Sequence, residues 1–170
     1  DISVDHVRFE DLSKMARPGN GRTGAVTVYR SGGALFQNCV FKGNGFEDSL
    51  NIIQSKFKLK NCVFADSPGD ALDVDFGEGL LDGCVFISSG NDAVDTSGST
   101  VRIRGLVIDR AGDKGISAGE RSRLIVENGK ILNGKIGVAS KDLSSLHLEN
   151  ISVRRNQVGI AVYQKKEEFG

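Results

Sequence analysis

The sequence predicts an all-β fold, a right-handed parallel β-helix: a three-sided solenoid of about seven coils, each of about 22 residues. Three observations lead there. Leu50, Leu72, Val94, Ile116, Val138 and Ile160 form an apolar ladder in which each residue lies 22 positions after the last. A second ladder, Phe36, Leu59, Leu81, Ile103, Val126 and Leu148, keeps step with it at intervals of 22 or 23. Glycine is abundant at 22 residues and proline scarce at two, which suits a chain of short strands joined by many tight turns.

Each element of the coil follows from its clearest copies. Phe57-Lys58-Leu59-Lys60 alternates apolar and polar residues and resets at Asn61. Alternation of period two means a strand with one buried face. Asn38, Asn61, Gly83, Gly105, Asn128 and Asn150 occupy the reset, and His6 takes the same place in the first coil. Asn and Gly tolerate a left-handed backbone, so the reset is a bend between two strands. Stacked Asn side chains also hydrogen-bond from coil to coil. A third strand follows a turn, with copies at 70–74, 92–96, 114–118, 136–140 and 158–162. Three strands and three bends leave no room for a helix, which excludes a helical horseshoe.

The first coil departs from the period, because Val4 precedes its counterpart Phe36 by 32 residues. The excess reads as an inserted loop at 13–24, with Lys14, Arg17 and Arg22 at its tip. Residues 1–170 are read as one domain. Open strand edges at the ends, with no capping helix, predict either a segment of a longer protein with further domains or end-to-end self-association.

Composition excludes several classes. The chain is 39% apolar with zero formal net charge, so neither disorder nor a nucleic-acid partner is expected. No apolar run approaches the ~20 residues of a membrane helix, and no membrane partner is expected. Cys39, Cys62 and Cys84 follow the coil period, fit no zinc spacing, and are expected inside as small hydrophobes. His6 and His147 have no Ser, Cys or second His at a spacing that would make a triad.

The chemistry concentrates in charge. Between Asp66 and Asp95 lie eight acids and no Lys or Arg. With Leu72 and Val74 inward, Asp73 and Asp75 point out; Asp95 falls above Asp73 and Asn51 below it. Asp48, Asp70 and Asp92 form a second column, which Lys114 continues. Coils lie ~4.8 Å apart. Two carboxylates at that distance repel by about 1 kcal/mol in water and about 3 at a surface-like dielectric. Cations, water or a raised pKa would relieve them. The contrary reading is ordinary turn chemistry, with Asp70 and Asp92 bonding their own backbone and the rest solvated. Asp48, Asn51 and Asp75 are further candidate ligand-binding residues. No aromatic platform for sugar stacking is evident beside these columns.

The Asn ladders and the Leu-x-Asn-x-x-Phe units resemble the pectin-lyase-like right-handed β-helix superfamily over nearly the whole chain. Residues 112–117, 136–142 and 163–166 more narrowly resemble β-helix segments of bacterial extracellular proteins, some of which carry a CotH-like domain. The wider resemblance implies calcium held by Asp70, Asp73, Asp92 and Asp95, with Lys114 as the base of a polysaccharide lyase. It also implies an extracellular or cell-surface location. The missing Arg beside Lys114 departs from that pattern, since Arg110 lies only in the preceding bend. The reading taken forward is a non-catalytic module that binds carbohydrate or another extracellular ligand, with calcium on the acidic face. Its alternatives are a calcium-dependent polysaccharide lyase using Lys114, a hydrolase using paired carboxylates, and a structural spacer.

Overall fold

The computed structural model describes residues 1–13 and 24–169. Lys14, Arg17 and Arg22 of the expected loop lie outside the described residues. The rest winds into a coil with three faces, and every strand pairs in parallel with its counterpart one turn away. The first face begins with Ile2–Asp5, Ala34–Gln37, Lys56–Lys60, Glu78–Asp82 and Thr100–Arg104. The second begins with Arg8–Glu10, Val40–Lys42, Val63–Ser67, Val85–Ser89 and Val107–Ala111. The two faces merge at their C-terminal end in the ten-residue strands Arg123–Leu132 and Ser145–Arg154, which run through the Asn bend.

The third face is a separate seven-stranded sheet: Gly24–Tyr29, Asp48–Ile53, Asp70–Asp75, Val94–Ser97, Lys114–Gly119, Ile136–Lys141 and Val158–Tyr163. Seven rungs enclose six steps, so the chain makes about six full turns where about seven coils were expected.

The bends form as the residue types dictate. Asn38, Asn61, Asn128 and Asn150 all have φ near 50–57°, and Gly83 and Gly105 share the left-handed region. Asn61 donates to Asn38 and Asn150 to Asn128, each at 3.4 Å; the ladder breaks where glycine supplies no side chain. A serine ladder at the third bend was not foreseen. Ser55, Ser99, Ser122 and Ser144 each accept a backbone N–H from the preceding coil at 2.8–3.1 Å.

The core is the inside of the coil. Phe9, Phe41, Phe64 and Phe86 stack with ring centroids 5.0, 4.6 and 4.7 Å apart. Both predicted apolar ladders point inward, and their central members are fully buried. Cys39, Cys62 and Cys84 are buried free thiols, as their spacing suggested.

Candidate functional site

The third face gathers the acids. Registers of the paired strands place Asn51, Asp73, Asp95 and Ser117 in one column. Ile53, Asp75, Ser97 and Gly119 form the next, and Lys141 extends it. Asp48 pairs in register with Asp70. Asp70 Oδ1 accepts the Asp92 backbone N–H at 2.7 Å, and Asp92 Oδ1 accepts that of Lys114 at 2.9 Å. Each of these acids thus caps the next coil rather than its own turn. Asn91 adds a side-chain bond to Asp70 Oδ1 at 2.8 Å.

The strip is less open than outward alternation suggested. Asp48 and Asp92 are buried, and Asp70, Asp73, Asp75 and Asp95 are partly so. Burial first, and the neighbouring carboxylates second, push Asp73 up to about 8. Burial likewise carries Asp70 up to about 7, against the hydrogen bond from Asp92 and with the charge of Asp92. Asp75 rises through burial, opposed by hydrogen bonding from Asn51. The Asn51 amide donates to Asp73 Oδ2 at 2.8 Å.

One end of the strip is closed by two lysines. Lys114 Nζ sits 3.3 Å from Asp92 Oδ1 and also bonds Asp113, which Lys135 approaches at 3.3 Å. Burial alone would lower the Lys114 pKa, but the Asp113 hydrogen bond and the Asp92 charge outweigh it and hold it at about 12. Lys141 crosses the bare position of Gly119, where an added Cβ would lie 3.4 Å from its Cε, and brings Nζ to 3.9 Å from Asp95 Oδ1.

An aromatic ring flanks the strip. Phe76 follows Asp75 at the bend, has φ of 52°, and is 61% exposed. Its ring lies over Gly98 one coil on, where a Cβ would meet Phe76 Cδ1 at 2.6 Å. Gly98 serves twice, because its own φ of 60° also favours glycine. The expectation of no aromatic beside the acidic columns is therefore corrected.

The family model for the right-handed β-helix region matches residues 48–169. The chain belongs to the right-handed β-helix family. That match covers more than half the chain and all of the acidic strip. No curated protein matches the sequence.

In this β-helix the residues singled out from the sequence divide into two groups. Asn51, Asp73, Asp75 and Asp95 share a continuous polar strip. Asp70, Asp92 and Lys114 are joined to one another and used by the fold. Among the described residues, no three His, Cys, Asp or Glu side chains are grouped to hold a metal ion. The four-Asp calcium set does not fit this geometry, since Asp70 is engaged by Asn91 and Asp92, and Asp92 by an ammonium. Arg110 bonds Ser88 at 3.1 Å and its neighbour Asp109, both on the second face. Phe76 was missed, although an apolar residue at a bend position was the available signal.

Proposed function

We propose that this β-helix is a non-catalytic module that binds carbohydrate along the third face. The observation that carries the reading is Phe76: a bulky residue in left-handed conformation, exposed, and seated at the edge of a carboxylate strip. Arg30, Gln54 and Gly98 turn through the same bend with positive φ, so what sets Phe76 apart is the exposed ring that it carries there. An exposed ring gives a sugar ring an apolar surface, while neighbouring carboxyls accept its hydroxyl hydrogens. A base role for Lys114 is disfavoured, because proton abstraction needs an amine with a lowered pKa and two carboxylates hold this one charged.

Affinity electrophoresis in gels containing neutral, acidic or amine-bearing polysaccharides tests the proposal. The expected result is retardation by one of them, lost in Phe76→Ala, with no unsaturated product and no new reducing ends. Turnover abolished by Lys114→Ala would replace the module with a lyase. Unchanged mobility in every gel would leave a spacer.

A further inference from the structure

Resting on that carbohydrate reading, we infer that the preferred ligand carries free amines: a polymer of amino sugars whose ammonium groups lie along Asp73, Asp75 and Asp95. Several features of the strip point there. Among the described residues neither Asp73 nor Asp75 has a cationic partner within salt-bridge distance, whereas Asp92 has Lys114 and Asp95 has Lys141. The column also holds two buried oxygen atoms without a hydrogen-bond partner, one on each side of the Asp73–Asp95 pair. Asn51 is 1% exposed and has spent its amide nitrogen on Asp73, leaving Oδ1 unpartnered; Ser117 Oγ, fully buried, has no partner either.

A buried amide oxygen calls for a donor, and an ammonium has three hydrogens to share. Lys141 shows the geometry in miniature, since it reaches across Gly119 to lay an ammonium beside Asp95. Phe76 agrees with the charge, because a ring face attracts a cation. Asp73 and Asp95 stand one coil step, ~4.8 Å, apart, and Asp75 lies two residues further along the strand that holds Asp73. Burial holds a proton on Asp73 near neutral pH, so an ammonium binds there with release of that proton, whereas a uronate carboxylate brings no charge that would draw the proton off.

The test is titration calorimetry with a glucosamine oligomer, its N-acetylated counterpart, and oligogalacturonate with and without calcium, near neutral pH. The expected result is binding of the free-amine oligomer at least tenfold tighter than the acetylated one, weakening as salt rises. Asp73→Asn/Asp75→Asn keeps side-chain size and is expected to weaken binding at least tenfold. Asp82→Asn/Glu149→Gln, on the first face, is expected to leave it unchanged. Melting curves confirm that each variant is folded. Equal or tighter binding of the acetylated oligomer, or binding of oligogalacturonate, overturns the amine preference and leaves the carbohydrate reading standing. Equal weakening by the first-face pair overturns the assignment to this strip. No binding of any oligomer overturns both.

Discussion

Asp73 shows how a single residue couples the strip to pH. Its carboxyl is raised from 3.8 to about 8, so between those values the folded protein holds a proton that the unfolded chain has released. The folded state then binds more protons, and stability falls as pH rises through that window. Asp73→Asn removes the titration and keeps an acceptor for the Asn51 amide. It is expected to raise the melting temperature at pH 9 by several degrees relative to wild type, with much less effect at pH 4. A pH-independent difference in melting curves would show that Asp73 is not the group responsible. The position of this residue was legible, because an unbroken period of 22 stacks Asn51, Asp73 and Asp95 whatever the rest of the coil does. Its burial was not, since alternation gives the side that a residue faces but not what its neighbours cover. The role of Lys114 was half legible: the column was right, yet adjacent Asp113 already signalled an ammonium held charged. Phe76 stayed hidden because its seat is Gly98, a full coil away in the chain.

At the scale of the strand and bend, the fold was legible because each element repeats with its own chemistry. The Asn bend is a φ requirement, the strands are a two-residue alternation, and the ladders confirm one another. The serine ladder was harder to see, since Gly77 breaks the series and lone serines are common in turns. Close approach between bends sets another requirement. An added Cβ at Gly112 would lie 2.2 Å from the carbonyl oxygen of Gly90, whereas Gly159 has nothing within 4 Å. Gly112→Ala is therefore expected to destabilise by about 1–3 kcal/mol, read as a lower urea midpoint with unchanged slope. Gly159→Ala is the control and is expected to lie within about 0.5 kcal/mol of wild type. Similar losses in both would mean that the backbone freedom of glycine, not the bend contact, is being measured.

For the whole molecule, stability is a sum over neighbouring coils. The central coils bury Phe64, Phe86, Leu72 and Leu81 completely, while Ile160 and Val162 in the last rung are exposed. The C-terminal tail, with Lys165, Lys166, Glu167 and Glu168, is tied back onto the coil. Asp142 Oδ1 accepts the Lys165 and Lys166 backbone N–H groups at 2.6 and 2.9 Å, Lys166 bonds Glu120, and Arg121 lies 5.5 Å from the Phe169 ring. Amide hydrogen exchange is expected to be slowest in Asp70–Asp75 and Val85–Ser89 and fastest in Val158–Tyr163. Uniform exchange across the coils would indicate all-or-none opening instead. The parallel pairing has a mechanical consequence. Hydrogen bonds between coils run roughly along the solenoid axis, slanted across the strands. Tension applied along that axis pulls those bonds in line, and the coils peel away one at a time at low force. Tension across the axis, along a strand, loads many bonds of one rung together in shear. The same molecule is therefore compliant when stretched end to end and stiff when a ligand drags on one face.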